Sequence, residues 1–217
     1  MIKLQFGNGD HPLRQILCLG AHSDDIEIGC GGTVLQILAR NPELDVVWVV
    51  FSSSPERERE ARNSAAMFLR KAGKTEIIVK NFRDGYFPFD GSLIKQFFEQ
   101  LKQRLHPDLV FTHNKNDAHQ DHRTLAELTW NTFRNHAICE YEIPKYDGDL
   151  GQPNLFVPLA DESFREKVRF LMSAFQSQRS KRWFEEETFL ALMRLRGMEC
   201  NADSGYAEAF YTRKLVL

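Results

Sequence analysis

One stretch constrains this chain more than any other. The apolar run Ile16-Leu17-Cys18-Leu19 leads into Ala21-His22-Ser23-Asp24-Asp25-Ile26-Glu27-Ile28-Gly29-Cys30-Gly31-Gly32, and the amphipathic run Thr33 to Arg40 follows. The pattern is strand, turn, helix, with an imidazole and three carboxylates in the turn. In an open α/β sheet, ligands bind in the crevice outside the carboxyl ends of the strands. A His and an Asp three residues apart can converge on one metal ion there. The Asp between them would lie beside the metal, free to handle a proton.

The rest of the first half repeats the unit. Val46 to Phe51, Glu76 to Val79 and Leu109 to Thr112 are short β-branched or aromatic runs that read as buried strands. Between them, Glu56 to Lys71 places Ala61, Ala65, Phe68 and Leu69 at helical spacing, and Leu93 to Leu105 does the same with Leu93, Ile94, Phe97, Phe98 and Leu101. Alternating strands and helices predict right-handed crossovers and a Rossmann-like α/β fold, a mainly parallel sheet with helices on both faces. At 217 residues, nothing requires a second domain, and residues 1–217 are read as one.

Directly after the Leu109–Thr112 run comes a second cluster, His113-Asn114-Lys115-Asn116-Asp117-Ala118-His119-Gln120-Asp121-His122-Arg123, and then a helix, Thr124 to Phe133. Both clusters therefore sit at the carboxyl end of a predicted strand and ahead of a helix, where loops from neighbouring parallel strands meet at one rim.

These residues carry a resemblance. Ala21-His22-Ser23-Asp24-Asp25 with Glu27 and Gly31-Gly32, together with His119-Gln120-Asp121-His122, resembles the LmbE/PIG-L family of zinc-dependent N-deacetylases. That family carries Ala-His-Pro-Asp-Asp and His-x-Asp-His in this order. The likeness runs through roughly the first 135 residues and returns more weakly at Ala174 to Gln178 and at Ala207-Glu208-Ala209-Phe210. The resemblance implies His22, Asp25 and His122 as ligands of one Zn2+. It implies Asp24 as general base, His119 as general acid or oxyanion partner, and Asp121 as the group that orients a histidine. Arg59 falls near a family arginine that contacts substrate, with Arg57 and Arg62 as close competitors. The family acts mostly on N-acetylated amino sugars, so the implied substrate is a small molecule of that class.

The chemistry is consistent with that implication. Two His and one Asp leave a coordination position open to water, the catalytic arrangement for zinc. Water on such an ion has its pKa lowered to about 7. Asp24 can take a proton from attacking water, and His119 can stabilise the oxyanion or protonate the departing amine. Ser23 stands where the family has proline. Its hydroxyl is expected to accept from a backbone amide two or three residues on, as at a helix start.

Two other functions use overlapping residues. Two His and one carboxylate also describe non-haem iron oxygenases, whose ligands usually lie on a strand rather than three apart in a turn. Gly29-Cys30-Gly31-Gly32 could belong to a Rossmann-type nucleotide-binding module, although the spacing is not G-x-G-x-x-G. Net charge of -2 makes no case for nucleic acid. The segment Met1 to Leu13 lacks the apolar core of a signal peptide, and no run nears the roughly 18 apolar residues that span a bilayer. Cys18, Cys30, Cys139 and Cys200 contain no C-x-x-C pair and read as reduced thiols. A cytoplasmic location with no membrane insertion is expected. A homo-oligomer is compatible with the sequence.

The second half is plainer. Ala137 to Ile143 and Leu155 to Val157 read as strands, Ser163 to Phe175 and Trp183 to Arg196 as helices, and Tyr206 to Val216 as a closing or edge strand. The turn-rich run Tyr146 to Asn154 is long for a connector and is expected to form a lid or rim. Tyr86, Phe87 and Phe89 could stack on a sugar ring or fill core under the loop.

Overall fold

Strand β1 (Gln15–Gly20) is the pivot of a seven-stranded sheet with the order β3-β2-β1-β4-β5-β7-β6. The computed structural model of the protein describes residues 3, 5–7 and 12–215. Strands β2 (Asp45–Val50), β3 (Thr75–Val79), β4 (Leu109–His113) and β5 (Ala137–Tyr141) run parallel to β1. The chain first builds outward through β2 and β3, then returns to the other side of β1 as β4. The β1/β4 junction is therefore the topological switch point, where an open α/β sheet holds its ligands.

Alternation along each strand feeds two apolar layers. Ile16, Cys18, Val46, Trp48 and Val50 face one layer, and Leu17, Leu19, Val47, Val49 and Phe51 face the other. Helices α1 (Asp25–Arg40), α2 (Pro55–Phe68), α5 (Asp161–Ala174) and α6 (Glu186–Glu199) cover the first, and α3 (Gly91–Arg104) and α4 (Gln120–Thr132) cover the second. The mainly parallel, two-sided α/β architecture is the one the sequence predicts. All four cysteines are free and buried. Among the described residues, no helix is long and apolar enough to cross a membrane.

Three elements differ from the sequence reading, each for a physical reason. Helix α1 begins at Asp25, eight residues before Thr33, so the glycine run lies inside it. A Cβ on Gly29 would lie 2.2 Å from the Tyr141 ring, and one on Gly31 2.5 Å from Phe68. These glycines allow close packing, which outweighs their poor helix propensity. Helix α4 likewise begins at Gln120, placing Asp121 and His122 in its first turn. Finally, β7 (Ala207–Tyr211) is an interior strand, antiparallel to both β5 and β6 (Leu155–Pro158). Residue 216, where the predicted last strand ended, lies outside the described residues.

Candidate active site

The two strand-end clusters meet at the β1/β4 junction. His22 is in the turn after β1, and Asp25 is the first residue of α1. His122 comes from the first turn of α4. His22 Nδ1 lies 3.2 Å from His122 Nε2 and 3.3 Å from Asp25 Oδ2, and Asp25 Oδ2 lies 3.6 Å from His122 Nε2. Ligand atoms around a tetrahedral zinc ion with bonds of 2.0–2.1 Å stand roughly 3.3 Å apart. The three atoms thus have the spacing that one such ion requires.

Each candidate ligand is held from behind. Asp117 Oδ2 is 2.9 Å from His122 Nδ1, leaving Nε2 free to face the cluster. His22 Nε2 lies 3.1 Å from Asp84 Oδ1 and 3.4 Å from Asp121 Oδ2. Asp121 is itself fixed by the amides of Gly85 (2.7 Å) and Phe87 (3.1 Å). Asp25 Oδ2 accepts the His22 amide at 2.6 Å and lies 3.2 Å from His113 Nε2. His113 Nε2 is also 3.0 Å from the Ala21 amide and 3.3 Å from the Tyr141 hydroxyl. Its ring stacks on that of His122 with centroids 3.8 Å apart, and ligand-type atoms of Asp25, His113 and His122 also lie within 4.8 Å of one another.

The electrostatics follow from burial and from these partners. Burial, reinforced by His113, pushes His122 down to about 3, so it stands as the neutral imidazole a metal requires. Asp25 is fully enclosed, which alone would raise it, but His122, His113 and His22 hold it well below the carboxylate range. Burial works against a proton on His22, yet Asp25, Asp121 and Asp84 together lift it well above an ordinary histidine. Any cation bound there would have to displace that proton, so its binding would weaken as pH falls.

Asp24 stands beside the candidate ligands with asymmetric oxygens. Oδ1 accepts Arg57 Nη2 at 2.7 Å, whereas Oδ2 is buried with no partner among the described residues. Burial, helped by Asp25 and opposed by Arg57, raises its pKa. His119 caps α4, its Nδ1 accepting the Asp121 amide at 3.2 Å, which leaves the proton on Nε2. Ligand-type nitrogens of His22, His119 and His122 all lie within 4.8 Å of one another. Burial, and then the charge of His22, lower the His119 pKa.

The arrangement brings together six of the seven residues singled out in the sequence: His22, Asp24, Asp25, His119, Asp121 and His122. The seventh, Arg59, is exposed on α2, and Arg57, two residues earlier on the opposite side of that helix, is the arginine that reaches Asp24. Ser23 does not accept a backbone amide as expected, because Asp24 rather than Ser23 is the residue preceding α1; its buried hydroxyl pairs with Ser53 Oγ at 3.0 Å. Phe87 is fully buried against His22, leaving Tyr86 and Phe89 as the exposed aromatics of that loop. The 146–154 segment is a pinned rim. Lys145 bridges Asp117 (3.0 Å) and Asp149, and Asp149 Oδ2 accepts the Ala118 amide at 2.6 Å.

Asp117, His113 and Asp84 gained no role from sequence, and Arg57 gained one only as a competitor of Arg59 for contact with substrate. His113 carried a usable signal as the last residue of a strand at the switch point. Asp117 and Asp84 act across loops that no spacing rule connects.

Comparison with known proteins decides the family. The family described as PIG-L, GlcNAc-PI de-N-acetylase, matches residues 17–133, more than half of the chain. The chain belongs to the PIG-L family. A relative, the uncharacterized deacetylase YaiS of Escherichia coli K12, is 27% identical over 169 residues, spanning 73% of this chain and 89% of that protein. Among solved structures, the N,N'-diacetylchitobiose deacetylase of Pyrococcus horikoshii superposes with a TM-score of 0.67 at 21% identity, covering 93% of this chain and 84% of its own. GalB of Pseudomonas putida KT2440, a 4-carboxy-2-hydroxymuconate hydratase, superposes with a TM-score of 0.70 at 16% identity, covering 94% and 98%. The PIG-L fold thus hosts more than one chemistry, and the reaction has to be argued from the site.

Proposed function

We propose that this PIG-L protein is a zinc-dependent N-deacetylase that removes the acetyl group from an N-acetylated amino sugar or its conjugate. One observation carries the reading: ligand-type atoms of His22, Asp25 and His122 at 3.2–3.6 Å spacings, beside an Asp24 oxygen that has no partner among the described residues. Zinc held by those three atoms would supply Lewis acidity toward an amide oxygen and acidify water.

The chain's own groups carry the proton. As water adds to the amide carbon, its proton passes to Asp24 Oδ2, while Arg57 holds Oδ1 and fixes the carboxylate plane. His119 offers Nε2–H to the developing oxyanion, since Nδ1 is committed to the Asp121 amide. Asp24 then returns the proton to nitrogen as the carbon–nitrogen bond breaks, giving acetic acid and the amine, which leave as acetate and an ammonium ion once the acid has passed its proton to the amine. Tyr86 and Phe89, exposed on the loop that carries Asp84, are the stacking surface for the sugar ring. Four unpaired thiols support a cytoplasmic setting.

The nucleotide-binding alternative has no place for a phosphate, because the glycine run is buried in α1 beneath Tyr141, Phe68 and Glu208. The family match argues against the oxygenase.

The test is acetate release from a panel of N-acetylglucosamine conjugates after zinc reconstitution. Asp24→Asn should keep its metal and lose roughly 10²–10⁴-fold in kcat. Failure to bind a stoichiometric divalent ion, or full activity in Asp24→Asn, would reject the mechanism.

A further inference from the structure

A buried ion pair lies behind α1, away from the candidate ligands. Lys167 of α5 and Glu208 of β7 are 2% and 3% exposed, and Lys167 Nζ is 2.6 Å from Glu208 Oε1. Such a pair is poor evidence for stability, because desolvation of two charges commonly cancels their attraction. What distinguishes this one is where its remaining valences go. Lys167 Nζ donates to the Ile28 carbonyl at 2.6 Å. Glu208 Oε1 accepts the Gly32 amide at 2.8 Å, and Oε2 accepts the Thr33 amide at 2.6 Å. All three backbone groups belong to the interior of α1, which ordinarily keeps them for its own ladder.

The polarity is consistent. An ammonium meets the Ile28 carbonyl at the end of the first turn of α1, and a carboxylate meets the Gly32 and Thr33 amides one turn further on. Each charge carries the sign that its own bond requires, a cationic donor on a carbonyl and an anionic acceptor on amides. Glycine at position 32 is what admits the carboxylate: an added Cβ would lie 3.0 Å from Glu208 Oε1 and 2.7 Å from Leu159.

We propose that Lys167 and Glu208 are positioning residues that fix α1 along its axis, and so set where Asp24 and Asp25 stand relative to the histidines. Apolar packing is non-directional and leaves a helix free to slide by fractions of an ångström. Bonds from a fixed carboxylate and ammonium to three peptide groups remove that freedom. Asp25 is seven residues from Gly32, about 10 Å along the axis, so any slip carries over to Asp25 Oδ2. Its partner His122 is on α4, across the sheet, and does not move with α1. The inference rests on the metal reading above.

The experiment uses Co2+ as the probe, with affinity from chelator competition and the visible spectrum as readouts beside kinetics. The full chain should bind one Co2+; if it does not, the proposed function fails. Lys167→Met/Glu208→Gln removes both charges at similar volume. It should fold, bind Co2+ about 10–100-fold more weakly, show an altered spectrum, and lose kcat with little change in KM. Leu101→Ala, a cavity in the opposite apolar layer, should lower stability and leave Co2+ affinity and spectrum unchanged. Wild-type affinity and spectrum in the double variant would reduce the pair to a packing element and overturn the inference. If the double variant does not fold, Lys167→Gln keeps Glu208 on its two amides and is judged by the same readouts.

Discussion

Asp117 Oδ2 sits 2.9 Å from His122 Nδ1, and Lys145 Nζ sits 3.0 Å from the same carboxylate oxygen. The His122 nitrogen that faces His22 and Asp25 is therefore governed by a group bonded to the far side of its ring. His122 and Lys145 together hold Asp117 well below the carboxylate range despite its burial. An ionised partner at Nδ1 makes Nε2 a stronger donor to a cation.

That relationship predicts the behaviour of Asp117→Asn. The amide oxygen still accepts from Nδ1, but the charge is gone. Metal affinity should fall about 10–100-fold, with the fold intact by circular dichroism. Competition with a fluorescent zinc chelator measures the change directly. An unchanged affinity would mean that Asp117 serves only the loop it shares with Lys145.

Arg57 and Arg59 give a second, sharper contrast. Arg57 is bonded to Asp24, and Arg59 points to solvent from the same helix. Arg57→Ala should lower kcat by at least tenfold, because it leaves a buried carboxylate unpaired and badly oriented. Arg59→Ala should stay within twofold of wild type in both kcat and KM. The reverse pattern would restore Arg59 as the substrate-contacting residue.

The contrast between those arginines shows where sequence reasoning loses its grip. His22, Asp24 and Asp25 were legible because strand-end loops are fixed by topology, and β1 and β4 are neighbours in any sheet with this switch point. Arg57 and Arg59 differ only in which way a helix faces. That is set by packing of Ala61, Ala65 and Phe68, and the N-terminal turn beyond those residues carries too little apolar signal to fix its rotation. Glycines misled the reading for a related reason. Gly29, Gly31 and Gly32 resemble a turn until Tyr141, Phe68 and Glu208, all distant in sequence or on other elements, are seen to occupy the space their side chains would fill.

Gly29→Ala tests that explanation. Tyr141 cannot easily retreat, since it is fully buried and its hydroxyl donates to the Leu19 carbonyl at 2.6 Å. A methyl group placed 2.2 Å from its ring should destabilise the protein by about 1–3 kcal/mol or more, although alanine is the better helix former. Gly91→Ala, where an added Cβ meets nothing within 4 Å, should be neutral or stabilising by up to about 1 kcal/mol. Urea titration of both variants separates close packing from propensity.

His119 performs two tasks that different substitutions should pull apart. Its Nδ1 caps α4 by accepting the Asp121 amide at 3.2 Å, and its Nε2–H is the donor proposed for the oxyanion. His119→Ala removes both, so it should lose about 1 kcal/mol of stability and fall about 10²–10³-fold in kcat. Asn is a good cap with an acceptor at similar reach, but its amide is too short to replace Nε2. His119→Asn should therefore recover the stability and none of the rate. Both variants should bind zinc as the wild type does, because the spacing of His22, Asp25 and His122 does not involve His119. Urea midpoints, single-turnover acetate release and metal content together decide the matter. Loss of zinc from either variant would place His119 among the ligands, and recovery of rate in His119→Asn would show that capping, not hydrogen-bond donation, is what catalysis needs from this residue.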